Sequence, residues 1–351
     1  MMSFWRRLFG ATDPVAARVP PHTARPRGTP ASAPSAAPAP TPSVPPAAIS
    51  ERFHRLIFAL PAAGAGEPAE HGVAILKRLD LLSTRFDMRS LPRLPAVLPQ
   101  LLRTLKSDTA AGGELAKLVG RDPLMVGEVM RVTGSVYYRA AQPISNLQQA
   151  VVLLGQDGLH RVITQHAMKP ILQANAGGFG HTGEYLWDHA ERCAHACAWL
   201  GKRGGGDTFE AYLAGIICHT GTGAVVRLLN QLLADAPAPA LDTRFIARCA
   251  ALGARLSLQA ARHWELPPRV IVALDEHQQP DSVATSALGR ALAAADTLGM
   301  AHLLGAQGLL PVDIDLSAAW PDSFPPSVLK RCQADLHRHF RLPTNSTHDA
   351  H

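Results

Sequence analysis

The chain has 351 residues, 47% of them hydrophobic, which is ample material for one large or two small domains. Its net charge of +6 is concentrated in residues 1–50, which hold five arginines (Arg6, Arg7, Arg18, Arg25 and Arg27) against Asp13 alone. The remainder is near neutral and lacks the dense basic face of a nucleic-acid-binding domain, so no nucleic-acid partner is expected. The five cysteines show no CxxC spacing. They argue against a disulfide framework and for a reduced, cytoplasmic chain.

Residues 11–50 are rich in Pro, Ala, Ser and Thr, with almost no large apolar residue. Such a stretch buries too little surface to offset its ordering entropy, so residues 1–50 read as a disordered arm. At its start, Phe4, Trp5, Leu8 and Phe9 surround Arg6 and Arg7. That pattern suits either a frayed terminus or a weak amphipathic contact with a membrane surface or a partner. No signal-peptide core follows it, and no apolar run reaches the roughly 20 residues of a transmembrane segment.

From Glu51 onward the apolar spacing is helical. Phe53, Leu56, Ile57 and Leu60 lie on one face, as do Val73, Leu76 and Leu79. Leu91-Pro92-Arg93-Leu94-Pro95 is a rigid extended entry to a helix with Val97, Leu98, Leu101, Leu102 and Leu105 on its apolar face. A short helix over 114–119 follows. Asp122-Pro123 is an N-cap followed by proline at the first helical position. Ser145 caps a helix that stops at Gly155, and another runs from Gln156 to Gln173. After Gly177-Gly178-Phe179-Gly180 comes a helix from about Glu184 to Lys202. Asp207 or Thr208 then caps one that ends near Cys218. Further helices cover about 242–264, 267–277, 284–302 and 325–340. No β alternation, P-loop, dinucleotide fingerprint or nucleophile elbow is present.

Several short motifs occur in order. Leu91-Pro92-Arg93-Leu94-Pro95, Asp122-Pro123-Leu124, Met130-Arg131-Val132-Thr133-Gly134-Ser135-Val136-Tyr137, Ile144-Ser145 and Ala150-Val151-Val152-Leu153-Leu154-Gly155 form one set. Leu186-Trp187-Asp188-His189, Gly215 to Gly221, Trp264-Glu265-Leu266-Pro267 and Glu276-His277-Gln278-Gln279-Pro280 form a second. Together, over about 90–300, the chain resembles the HDOD, or HD-related output domain, family of bacterial signalling proteins. Gly134 stands where the family's pattern has Asn. The resemblance implies an all-α fold: a helical bundle subdomain, 51–175, packed on a degenerate HD-like helical subdomain, 176–302. A C-terminal helical extension, 303–342, and a disordered tail, 343–351, complete the chain.

In metal-dependent HD hydrolases the ligand set is a first His, an adjacent His-Asp pair and a later Asp. By this resemblance His189 matches the first His and Asp296 the last Asp, while Cys218-His219 replaces the pair. His277 lies in the segment where the family reads H-H-x-P. His189, Cys218, His219, His277 and Asp296 are thus vestigial metal-site positions. Hard cations in phosphoryl hydrolysis need oxygen and imidazole ligands with a bridging carboxylate. The expectation is no catalytic residue, no bound metal or cofactor, and a non-catalytic signalling module that acts on a protein partner, linked to cyclic-dinucleotide signalling. A phosphohydrolase rebuilt on His189, His219, His277 and Asp296 is the alternative. A nucleotide sensor without hydrolysis is a third reading.

Other residues carry paired readings. His189, Cys193 and Cys197, spaced i, i+4 and i+8, would form a zinc site with Cys218 or His219, but core packing of the two cysteines is the simpler account. Cys218 and His219, as neighbours on a helix, would not face each other, which excludes a Cys-His nucleophile. Asp296, if buried, should pair with a local His or Arg. Asp122 reads as an N-cap. With Arg131, Ser135 and Tyr137 it also marks a candidate hinge or partner surface.

Overall fold

The computed structural model describes residues 44–59, 69–84, 116–117, 119–134, 144–174, 181–233, 243–279 and 284–340. Among these residues every regular element is a helix, and the all-α expectation holds. The Leu91–Pro95 entry, the Val97–Leu105 helix, Ser135, Tyr137, most of the N-terminal arm and the C-terminal tail lie outside the described residues.

Helix α1 spans Pro46–Ile57 and so begins inside the stretch assigned to the arm. Pro45 is extended and Pro46 takes the first helical position, where its missing N–H costs nothing. Ile49, Phe53 and Ile57 then form a buried stripe at i, i+4 and i+8. Helix α2 is Ala69–Thr84.

Helix α3, Pro123–Thr133, is capped as expected: Asp122 Oδ1 accepts from the N–H groups of Leu124 (2.9 Å) and Met125 (3.4 Å). Helix α4, Leu147–Ala174, breaks at Gly155, whose φ of 63° is costly for a residue with a Cβ. The break falls at the predicted junction of two helices.

The second set begins with α5, Thr182–Arg203, a largely buried long helix. Then come α6 (Thr208–Ile217), α7 (Thr220–Leu233), α8 (Thr243–His263), α9 (Pro268–His277), α10 (Ala287–Ala306) and α11 (Pro326–His339). Asp207 caps α6, accepting from Phe209 and Glu210 N–H, both at 2.8 Å.

Stretch Thr208–Leu232, covering α6 and most of α7, is after all long and apolar enough to cross a membrane, contrary to the sequence expectation. Its most apolar window is 94% buried within the fold. It packs against α5, α8, α9 and α10, which accounts for its apolar character without a lipid phase.

The most extensive helix–helix contacts among the described residues are α5 with α10 and α5 with α6. A Cβ on Gly215 would come within 2.6 Å of the Ala194 Cα, and one on Gly221 within 2.1 Å of the Gly253 carbonyl oxygen. The two glycines bracketing Cys218-His219 therefore let α6 lie on α5 and α7 lie on α8 at backbone contact distance.

Among the described residues the main contacts of helices α1 and α2 are with the second set of helices. Helix α1 packs on α5, α8 and α10, and α2 on α7 and α8. Polar ties hold α1 at its middle and at its C-terminal end. Thr182 Oγ1 donates to the Ile57 carbonyl (3.0 Å), and Thr243 Oγ1 donates to Glu51 Oε1 (2.8 Å). The described helices belong to one compact unit, Thr41–His351.

Candidate functional site

Four structural elements converge on one buried carboxylate. Asp296 sits midway along α10, 6% exposed. His189, on the inner face of α5, places Nε2 2.8 Å from Asp296 Oδ1. His219 places Nε2 3.0 Å from the same oxygen. His277, the last residue of α9, reaches Oδ2 at 3.0 Å. Local interactions hold that last ring in place. Glu276 Oε1 accepts from the N–H groups of Thr285 (3.1 Å) and Ser286 (2.9 Å), and Ser286 Oγ caps α10 at Gly289 (2.9 Å). The end of α9 is thereby tied to the start of α10.

Cys218 and His219 occupy a turn between α6 and α7 instead of lying within one helix. The expectation that adjacent helical residues diverge therefore does not apply. At this elbow both side chains turn inward, and the ligand atoms of His189, Cys218, His219 and Asp296 all lie within 4.8 Å of one another. Asp296 is buried and pairs with histidine as expected, but its histidines come from α5, the elbow and α9 and not from its own helix.

Of the cysteines in the i, i+4, i+8 reading, only Cys193 approaches the group. Its Sγ lies 3.7 Å from Cys218 Sγ, while Cys197 is buried elsewhere along α5 and is not among the clustered ligands.

Electrostatics follow the geometry. Burial pushes the Asp296 carboxyl up, but the charge of His219 and hydrogen bonds from three imidazoles hold it well below the usual range. Burial lowers the His189 imidazole, yet Asp296 and Cys218 outweigh it and leave it at about 9. Burial raises the Cys193 thiol well above its ordinary value. Burial also opposes ionisation of Cys218, but hydrogen bonding from Cys193 and the neighbouring imidazoles bring it down.

Three participants were not foreseen. Phe53 and His54 of α1 roof the cluster: the Phe53 ring centroid lies 4.5 Å from that of His189 and 5.2 Å from that of His219. The His54 centroid lies 5.7 Å from that of His219, and burial together with His219 lowers its imidazole to about 3. Thr222, one turn into α7, places Oγ1 3.1 Å from His219 Nδ1 and fixes that ring from behind. The i, i+3 spacing of His219 and Thr222 is the only sequence signal for this contact. None announces the roof, which lies more than a hundred residues upstream.

These residues do not fit a pair of hard cations. The group contains one carboxylate, already engaged by three imidazoles, and among the described residues no second acid joins it to bridge two ions. An S, N, N, O donor set matches a single ion of intermediate softness.

The other candidate surface is split. Asp122 is taken up as the cap of α3, and Arg131, on the exposed side of α3, donates from Nε to Glu128 Oε2 at 2.8 Å. Ser135 and Tyr137 fall outside the described residues. On the same half, Leu124 is 75% exposed and Val152 84% exposed.

The HDOD domain family model matches residues 91–280, more than half of the chain. The fold is similar to that of an HDOD domain protein of unknown function from Geobacter sulfurreducens, with a TM-score of 0.54 and 19% identity over 77% of this chain and 99% of that one. It is also similar to a protein provisionally described as a signal transduction protein from Marinobacter aquaeolei VT8 (TM-score 0.51, 18% identity, 84% of this chain and 64% of that one). A third is a protein provisionally described as a phosphohydrolase from Shewanella amazonensis SB2B (TM-score 0.51, 19% identity, 76% and 94%). At these identities the likeness is one of fold. No curated protein sequence matches the chain at the same stringency. Helix α1 with its roof residues lies before the matched segment, and Asp296 lies after it.

Proposed function

The chain belongs to the HDOD domain family, and from that premise we propose that it is a non-catalytic bacterial signal-transduction module. It works in the cytoplasm by binding a partner protein, in a pathway that uses cyclic dinucleotides. One observation carries the reading. The remaining acid of the HD-like site is buried among three imidazoles beneath α1, with a thiol and an imidazole where a His-Asp pair would stand. A phosphohydrolase needs an accessible oxygen-rich centre whose metal-bound water can attack a phosphoryl group. Here Phe53 is fully buried and His189 is inaccessible.

The partner surface we assign is the exposed side of α3 and the first turns of α4, where Leu124 and Val152 stand out. Large apolar residues scattered singly are ordinary on a protein surface, so their role rests on a direct test. Partners captured by the full chain in its source cell should be lost with Leu124→Ser plus Val152→Ser, at unchanged thermal stability. They should be retained when residues 1–43 are removed. Equal capture by the double variant contradicts the surface.

The gathering of His189, Cys218, His219 and Asp296 favours a second reading, a metal-dependent phosphohydrolase with a rebuilt site. It requires metal-dependent turnover of nucleotides or cyclic dinucleotides that Asp296→Asn abolishes. The non-catalytic module shows no turnover above the metal-only control.

A further inference from the structure

Cys218 is the least explained member of the cluster. A small apolar residue would fill a buried elbow at less cost than a thiol set between two imidazoles and a carboxylate. Its Sγ donates to the Gly215 carbonyl at 3.1 Å and touches Cys193 Sγ at 3.7 Å, both weak contacts. Four ligand-type side chains from α5, the α6–α7 elbow and α10 are thus gathered where hydrogen bonding satisfies the thiol only in part.

Their spacing suits one ion. Zinc bonds of about 2.0–2.3 Å in a tetrahedron put ligand atoms roughly 3.3–3.8 Å apart. The closest pairs here, His189 Nε2 and His219 Nε2 to Asp296 Oδ1, are at 2.8 and 3.0 Å, and no pair in the group exceeds 4.8 Å. Shifts of about an ångström or less per side chain bring the set to that geometry.

The supporting contacts also suit an ion. Thr222 Oγ1 backs His219 Nδ1, leaving Nε2 for the metal, and His277 holds the outer oxygen of Asp296. We infer that His189, Cys218, His219 and Asp296 form a closed mononuclear zinc site that ties α5, the α6–α7 elbow and α10 together. With four protein ligands no position is left for water or substrate, so the site is structural. On binding, the Cys218 proton leaves to solvent together with one proton from any ligating imidazole that carries two, and each ligating ring keeps its remaining proton on Nδ1, giving a thiolate and neutral imidazoles. This site does not depend on the identity of any partner.

The test uses the full chain, produced without a polyhistidine tag or chelator. Mass spectrometric metal analysis should find one zinc per chain. After exchange with cobalt(II), the protein should show tetrahedral visible bands and a near-ultraviolet thiolate-to-cobalt charge-transfer band. That band should disappear in Cys218→Ser and persist in Cys193→Ser. If Cys218→Ser does not fold, the wild-type cobalt spectrum decides alone, because a spectrum without a thiolate band overturns the site. So do a chain that stays metal-free after zinc reconstitution, two ions per chain, or a band that survives Cys218→Ser. Phosphoester turnover by a one-zinc protein with the thiolate band would contradict the functional proposal and the closed, structural character of the site, while leaving its ligands in place.

Discussion

At the scale of single residues, Asp296 is the pivot. In the metal-free chain it accepts from imidazoles on three other segments, and its negative charge keeps His189 protonated in a buried place. Asp296→Asn keeps the shape but leaves that charge uncompensated, and breaking a buried pair in this way costs about 3–5 kcal/mol. Denaturant titration of the metal-free chain should show a lower midpoint with an unchanged slope. A loss within the error of the extrapolation would mean that the cluster is not charged as described. The motif frames around His189, Cys218-His219 and His277 were legible because each carries local signature residues in order. Asp296 was placed by family resemblance alone, and its set of partners was not. Phe53, His54 and Thr222 were illegible as site residues because they reach it only through the tertiary fold.

At the scale of elements, caps and close approaches decide where helices sit. Asp122 takes two backbone N–H groups of α3, so Asp122→Ala should cost about 1 kcal/mol, read from the thermal midpoint. A Cβ on Gly215 meets the backbone of α5 at Cys193 and Ala194, neither of which can swing aside. Gly215→Ala should therefore destabilise by about 1–3 kcal/mol or more, measured by the same melt. A neutral outcome would mean that α5 and α6 separate easily. The Pro, Asp and Gly punctuation of α3, α4 and α6 was legible, since each residue acts within a turn or two of itself. The end of α6 near Cys218 was legible too; what the sequence pattern hid was that α7 restarts at Thr220, so that 218–219 form an elbow with both side chains turned inward. The docking of α1 was hidden too, because its buried stripe says that a partner face exists but not which helices supply it.

At the scale of the whole molecule, α11 is fastened to α5 and α10 by a histidine-rich seam. His195 Nε2 donates to Asp335 Oδ2 at 2.7 Å, and the His195 and His339 rings stack at 4.2 Å. Arg192 Nε donates to His302 Nδ1 at 3.1 Å. Burial, then Arg192 and His337, lower His302 to about 3. Burial, then His195, with Arg161 adding to it, lower His339 to about 4. Both folded values lie below the unfolded one of about 6.5, so the unfolded chain binds more protons between them. Their stabilising contribution is intact above about pH 6.5 and is lost as pH falls toward 3. Asp335, held low by the His195 hydrogen bond, is lost in the same direction at more acid pH. Hydrogen exchange between about pH 7 and pH 5, corrected for intrinsic rates, should show α11 losing protection before α6. Uniform loss would contradict the seam. The all-helical class and the order of its elements were legible from periodicity. The single compact unit was not, because composition does not report which helix faces meet. The account stands on the claim that the HD-like site no longer supports two-metal chemistry. Anomalous diffraction from crystals of the full chain soaked in manganese tests this most directly: no pair of ions should appear beside Cys218 and His219. Two manganese peaks about 3.5–4 Å apart at that elbow would contradict it.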